Sequence, residues 1–257
     1  MSLYSNSIAP PQFNFSWFGV TDTGRVRSRN EDSFICLPEQ SLWVVADGMG
    51  GHDSGDYASA TITSQAEKFI QQSSLEDSIL VLEENFLHSN ELIVEKAGNI
   101  GKSTTIGSTV ASLFVWDDLA FVLWAGDSRV YRYRDGALTR LTEDHSYVEE
   151  LVRMGKLSEA EAEAHPASNV VLNAIGIDTN IIIDMEFSRI QDEDIFILCS
   201  DGLYKDLSEE TISQILGGQQ TNIESLTQAL MTAALEAGGS DNCTIILVKA
   251  AIESDDV

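Results

Sequence analysis

Apolar and polar positions along this chain change period several times, and each change marks an element. Phe15 to Val20, Ser33 to Leu37 and Leu42 to Ala46 are short runs of aromatic and β-branched residues between turn residues, and they read as strands. From Gly55 to Gln72 the apolar positions Tyr57, Ala58, Ile62, Ala66, Phe69 and Ile70 recur at helical spacing. A second helix is expected from about Glu76 to Lys96, opened by the capping sequence Ser73-Ser74-Leu75-Glu76. Strand patterns return at Thr109 to Trp116, Leu119 to Ala125 and Val130 to Arg134, with Asp135-Gly136 as a tight-turn signal. Short helices are expected at Tyr147 to Met154 and Glu159 to Ala164. Strands follow at Ile181 to Phe187 and Ile195 to Cys199, and helices at Glu209 to Leu216 and Ile223 to Ala237. The last of these is capped by Thr221 or Asn222, and Cys243 to Lys249 reads as a closing strand.

Strands in runs and helices in pairs do not give the regular alternation of a parallel sheet. The pattern predicts an α+β fold, a four-layer α/β/β/α sandwich in which helices flank two mostly antiparallel sheets. A single catalytic domain is expected over residues 15–250, after a loose lead-in (1–14, with Pro10-Pro11) and before a fraying tail (251–257).

Composition narrows the function. There are 41 acidic against 15 basic residues, a formal charge of −26. Such a surface repels phosphate backbones and anionic lipid, so neither nucleic acid nor membrane is an expected partner. Two or three divalent ions would offset only about 4 to 6 of those charges, so most of the excess reads as a solvated surface. No apolar stretch approaches the roughly 18 residues of a membrane span. The N-terminus lacks the basic-then-apolar order of a signal peptide. Cys36, Cys199 and Cys243 are too dispersed for a disulfide framework, which suits a reducing cytoplasm.

Five aspartates stand in short turn motifs: Asp32 in Arg29-Asn30-Glu31-Asp32, Asp47 in Ala46-Asp47-Gly48-Met49-Gly50-Gly51-His52, Asp127 in Gly126-Asp127-Ser128-Arg129, Asp201 in Ser200-Asp201-Gly202, and Asp241 in Ser240-Asp241-Asn242. Asp47, Asp127 and Asp201 come at the ends of apolar strand runs. Carboxylates repeated at strand ends gather oxygen ligands for hard cations such as Mg²⁺ or Mn²⁺, which points to a metal-assisted hydrolase. The glycines after Asp47 are expected to let the backbone turn sharply and present carbonyl oxygens. Arg27, four residues before Glu31, offers a fork of donors suited to a phosphate; a surface salt bridge is the equally plain alternative. His52 reads either as a proton donor or as a structural residue at a helix start.

Other phosphate chemistries fail on spacing. Gly101-Lys102-Ser103 would need glycine at position 96 for a P-loop, and that residue is Lys96. A cysteine phosphatase needs arginine six positions after its cysteine, but those positions hold Leu42, Lys205 and Lys249. The four histidines (His52, His88, His145 and His165) have no zinc-ligand spacing.

Together the segments resemble the metal-dependent serine/threonine protein phosphatases of the 2C type, especially compact bacterial members, from about Trp17 to Val248. Eight elements come in the family's order: Gly24-Arg25-Val26-Arg27 with Asn30-Glu31-Asp32, the Asp47–His52 loop, Gly107-Ser108-Thr109, Gly126-Asp127-Ser128-Arg129, Thr142-Glu143-Asp144-His145-Ser146, His165-Pro166 with Ala174-Ile175-Gly176, Ser200-Asp201-Gly202-Leu203, and Asp241-Asn242-Cys243-Thr244. The resemblance implies hydrolysis of phosphoserine and phosphothreonine in proteins by a metal-activated hydroxide without a phosphoenzyme, opposing a bacterial Ser/Thr kinase, in a cytoplasmic monomer. It implies two tightly bound Mn²⁺ or Mg²⁺ ions. Asp47 would bridge them, the Gly48 carbonyl would complete the second, and Asp201 with Asp241 would hold the first. Asp127 with Asp201 would hold a third, weaker ion, and Glu31 would reach the second through water. Arg27 would bind the substrate phosphate and Asp32 would order water at the metals. Residues 141–176 correspond to a flap that selects substrates. Its acidic residues (Asp144, Glu149, Glu150, Glu159, Glu161 and Glu163) are expected to favour basic sequences around the phosphoresidue.

Two positions depart from that pattern. Met49 stands where larger relatives carry a general-acid histidine, leaving His52 as the candidate, and Asn173 stands where a basic residue is common. Two other roles are weighed: a pseudophosphatase that binds phosphoprotein without turnover, which the full aspartate set and Arg27 argue against, and a phosphatase of anti-sigma-factor antagonists, whose members usually carry a sensor domain.

Overall fold

The computed structural model describes residues 12–50, 54–101, 105–158, 161–162, 165–220 and 222–253. Eleven strands occur among them: β1 (Phe13–Asp22), β2 (Asp32–Leu37), β3 (Leu42–Gly50), β4 (Ile106–Ser108), β5 (Val110–Trp116), β6 (Leu119–Ala125), β7 (Arg129–Arg134), β8 (Ala137–Arg140), β9 (Asp184–Arg189), β10 (Ile195–Cys199) and β11 (Cys243–Ile252). The helices are α1 (Gly55–Ala66), α2 (Leu75–Ile100), α3 (Tyr147–Arg153), α4 (Asp201–Tyr204), α5 (Glu209–Leu216) and α6 (Ile223–Ala237). One sheet has the order β1-β11-β10-β7-β8 and the other β2-β3-β5-β6-β9, with β4 paired to the end of β3. All these pairings are antiparallel.

The period-2 alternation of each central strand supplies two cores at once. Trp43 and Val45 of β3 face Phe196, Leu198, Ile246 and Val248 of the opposite sheet, while Val44 and Ala46 turn to Ile62, Phe86 and Ile93 of α1 and α2. Likewise Ile197, Ile245 and Leu247 point away from the sheet interface toward Leu203, Ile212 and Leu230 of α4, α5 and α6. The result is the four-layer α/β/β/α sandwich. Cys199 and Cys243 are buried as small apolar groups on that second helical side. No helix among the described residues is long and apolar enough to cross a membrane.

Several boundaries move. The first strand begins at Phe13 rather than Phe15 and the last runs to Ile252 rather than Lys249, because the two pair along their whole length. Helix α1 stops at Ala66 rather than Gln72. Phe69 drops onto Phe114 with ring centroids 5.4 Å apart, and Ile70 is left exposed. The cap of α2 is Ser74, whose side chain accepts from the Asp77 amide, and that of α6 is Asn222, accepting from Ser225. The strand expected at 181–187 lies at Asp184–Arg189, since Ile181 and Ile183 pack against the α1–α2 core before the pairing with β6 begins. Of the helix expected at 159–164, only residues 161 and 162 are among those described.

Candidate active site

Asp32 and Asp47 are cross-strand partners in β2 and β3. Beside them Thr109 fixes Asp47 from both sides: the Asp47 amide donates to Thr109 Oγ1 at 3.1 Å, and the Thr109 amide donates to the Asp47 carbonyl at 2.9 Å. Asp127 follows β6 through Gly126, whose φ of +114° and approach to Thr109 (an added Cβ would lie 2.6 Å from its Cβ) admit no side chain. The other sheet contributes Asp201, the first residue of α4 after β10, and Asp241, just before β11. Both sheets therefore deliver their aspartates to the same end of the sandwich. Asp47, Asp127, Asp201 and Asp241 line one cleft of ≈ 470 Å³ together with Arg27, Glu31, Gly48, Lys205 and, from the flap, Asn169 and Val171.

Among the described residues no sharp turn follows Asp47. β3 continues straight through Gly50, paired with β4 at Gly48–Ser108, Met49–Gly107 and Gly50–Ile106. The glycines serve close approach instead: a Cβ on Gly48 would lie 2.1 Å from the Gly55 carbonyl oxygen and 2.5 Å from that of Glu31. His52 lies outside the described residues.

The loop that carries Arg27 and Glu31 is clamped by Asn242. Its Nδ2 donates to the carbonyls of Thr23 and Arg29 (2.9 and 2.8 Å), and its Oδ1 accepts from the Glu31 amide at 2.8 Å. Arg27 Nη2 then reaches Asp241 Oδ2 at 2.7 Å. Asp32 is half-buried with Oδ2 held by the hydroxyls of Ser200 and Thr244, both at 2.7 Å, while its Oδ1 is buried without a hydrogen-bond partner. Asp201 is similar: Oδ2 pairs with Lys205 and Oδ1 has no partner.

Burial governs the electrostatics. It pushes the Asp32 carboxyl up to about 7, against the two hydroxyl hydrogen bonds and helped by Asp201 and Asp241. Asp127 is also pushed up to about 7, by burial and then by Asp201. Asp47 rises well above the usual carboxylate range through burial, then through Asp32, Asp201, Asp127 and Asp241. So many carboxylates cannot all ionise here without cations. No three acidic or histidine side chains among the described residues stand together in a ligating arrangement; Arg27 and Lys205 draw Asp241 and Asp201 to themselves. The donor chemistry nonetheless fits hard divalent cations: oxygen ligands only, two buried carboxylate oxygens without partners, and strong mutual repulsion that a dication relieves.

Sequence reasoning missed Lys205 and the Asn242 clamp. Lys205 had a signal, the i,i+4 spacing from Asp201 on a helical turn. The clamp joins residues over 200 positions apart and had none.

The flap reads differently from its sequence. Asp144 is buried and forked by Arg129, with Nε–Oδ1 at 3.0 Å and Nη2–Oδ2 at 2.7 Å. Arg140 reaches Glu149 at 3.3 Å and Arg153 reaches Glu150 at 2.5 Å. Half of the acidic residues named for the flap are thus matched by arginines, and Glu159 and Glu163 lie outside the described residues. Asn173 is not a gap in the pattern: its Nδ2 lies 2.8 Å from His145 Nδ1 and 2.7 Å from the Ile182 carbonyl. His145 Nδ1 also accepts from the Gly126 amide at 3.2 Å, which places the ring proton on Nε2, 3.1 Å from Asp184.

The profile described as Protein phosphatase 2C matches residues 24–237. The chain is similar to the serine/threonine phosphatase stp of Listeria innocua, at 33% identity over 89% of this chain and 93% of that one. Among solved structures it superposes on PppA, described as a key regulatory component of T6SS in Pseudomonas aeruginosa (TM-score 0.84, 35% identity, covering 92% and 97% of the two chains). It also superposes on the catalytic domain of the serine/threonine phosphatase PstP in complex with two manganese ions (TM-score 0.81, 26% identity, 93% and 100%). With most of its length matched in both sequence and fold, the chain belongs to the protein phosphatase 2C family.

Proposed function

We propose that this protein hydrolyses phosphoserine and phosphothreonine in other proteins, with Mn²⁺ or Mg²⁺, opposing a Ser/Thr kinase in the cytoplasm. The observation that carries the reading is the convergence of four aspartates from two sheets on one cleft, with Asp32 beneath it and Arg27 at its edge. Asp47, Asp201, Asp241 and the Gly48 carbonyl are the residues that would hold a pair of divalent ions, with Glu31 beside them. Bound there, the ions supply a water activated at neutral pH and neutralise phosphoryl oxygens.

The chain's own residues do the rest. Arg27, more than half exposed and tethered by Asp241, is free to turn its fork onto an incoming phosphate. Asp32 keeps one oxygen locked by Ser200 and Thr244 and leaves Oδ1 to orient the attacking water and take its proton. A carboxyl titrating at about 7 suits that task. No side chain needs to form a covalent phosphoenzyme. His52 is the remaining candidate for protonating the departing serine or threonine oxygen.

The test is hydrolysis of a phosphothreonine peptide by the purified chain. Turnover is expected with added Mn²⁺ or Mg²⁺ and none with EDTA. Full activity after exhaustive chelation overturns the reading.

A further inference from the structure

The Asp127 side of the cleft has its own cation. Asp127 and Asp201 are each more than nine-tenths buried, and after burial itself the Asp201 charge adds to the cost of ionising Asp127. Lys205 caps α4 one turn after Asp201, with its amide donating to the Asp201 carbonyl at 3.0 Å and its ammonium paired with Asp201 Oδ2. The neighbouring Tyr204 fixes this turn against Asp127: its hydroxyl donates to the Asp127 carbonyl at 2.9 Å, and its ring lies 3.6 Å beneath the Arg129 guanidinium. Backbone and packing therefore place the Lys205 head in the cleft.

Resting on the phosphatase reading above, we propose that Lys205 is a built-in counter-cation for the Asp127–Asp201 pair, taking the place that a third, weaker metal ion would otherwise fill. With Oδ2 paired to Lys205, the buried and unpartnered Asp201 Oδ1 is the oxygen that would remain for a divalent ion. A tethered ammonium brings a single charge and cannot be washed out. Burial works against its charge, but Asp201 and then Asp127 more than reverse this. Lys205 is on this account a positioning residue: it sets how many ions the cleft takes and holds α4 against Asp127. Its removal leaves two buried carboxylates facing one another, the arrangement that recruits a divalent ion.

The experiment counts Mn²⁺ per chain by calorimetry and by electron paramagnetic resonance of free Mn²⁺, alongside peptide hydrolysis and thermal melts. Wild type should bind two. Lys205→Gln should gain one further, weaker ion, and its activation curve should extend to higher Mn²⁺. Lys205→Arg, which keeps the charge, should gain none, and Lys205→Gln with Asp127→Asn should lose the extra ion again. Three ions in wild type overturn the proposal, and this outcome needs no variant to fold. An unchanged count in a folded Lys205→Gln, or an extra ion surviving Asp127→Asn, also overturns it. If wild type binds no Mn²⁺ and hydrolyses nothing, the phosphatase reading itself fails. Two ions with intact turnover, and no gain in Lys205→Gln, removes only the role of Lys205.

Discussion

The floor of the cleft and the flap beside it are built by different means. On the floor, Asp32 and Asp47 are fixed by β2–β3 pairing, and Asp201 and Asp241 by the β10–β11 pair behind them. Among its described residues the flap has the short helix α3, two isolated bridges (Ser108–Ile175 and Ser146–Val171) and side-chain ties through His145, Asn173 and the Arg129–Asp144 fork. Sheet pairing spreads a substitution over many backbone hydrogen bonds, whereas the flap hangs on a few contacts. On the function proposed above, chemistry would be set on the sheet-braced floor, and contact with the substrate protein would be left to the part that can vary. The comparison predicts large effects on the floor and graded ones at the rim.

Replacing Asp47 or Asp201 by alanine should give the largest effect. Each removes a carboxylate from a cluster that acts as a unit, and kcat should fall by about a hundredfold or more, the scale of a single preorganised charge-stabilising group. The folded state should survive, because backbone hydrogen bonds and not the carboxylate hold the chain here: strand pairing at Asp47, and at Asp201 the helical turn to Lys205 with the Ser200–Thr244 bond before it. Single-turnover kinetics together with a melting curve check both halves. Near-normal kcat in either variant breaks the division between floor and flap.

The same burial gives the chelated protein a signature in pH. Asp32 and Asp127 titrate near 7 when folded, against an ordinary value of 3.8. Between those values the folded state binds more protons than the unfolded one, so stability falls as pH rises from about 4 to about 7. Divalent ions should restore it at neutral pH. Melting temperature measured in EDTA from pH 5 to 7.5 should therefore decline, and Asp32→Asn, neutral throughout, should flatten the slope. A rise over that range contradicts the burial cost of the floor.

Much of this floor was legible in the chain. Leu42–Ala46, Leu119–Ala125 and Ile195–Cys199 announce strands by their side chains, and an aspartate within two residues of each marks the cleft. What escaped was carried by backbone or by distance. The run Gly48 to Gly50 looks like a turn because glycine has no side-chain period, yet it pairs as a strand with β4. Edge strand β9 was misplaced since its apolar Met185 and Phe187 are exposed, so burial does not pace it. In the flap, counting acidic residues suggested a negative rim, because the arginines that answer them come from positions 129, 140 and 153, two of which lie outside or at the edge of the segment.

Arg27 stands between the two regions, on a loop clamped by Asn242 but with its head in solvent. A group that binds phosphate equally in ground and transition states changes KM more than kcat. Arg27→Ala should raise KM for a phosphopeptide by about tenfold, as expected for one charge-assisted contact. Steady-state kinetics separate the parameters. An unchanged KM with a collapsed kcat would move Arg27 from the rim to the chemistry of the floor.

The smallest expected effect belongs to the flap. Taken from sequence, its acids should favour peptides with arginine or lysine beside the phosphoresidue. With Asp144 forked by Arg129, Glu149 reached by Arg140 and Glu150 by Arg153, much of that charge is already answered. The preference that remains comes from the unmatched acids and from the overall charge of −26, both of which act through solvent and are screened within about 10 Å at 0.1 M salt. Phosphothreonine peptides flanked by arginine should therefore be turned over only a few-fold faster than glutamate-flanked ones, through kcat/KM, with the gap closing as salt rises. Arg140→Gln, which frees Glu149, should widen it at low salt. Equal kcat/KM for the two peptide sets in both proteins would mean that the flap's charge is simply solvated, and that its choice of substrate rests on shape at Asn169 and Val171.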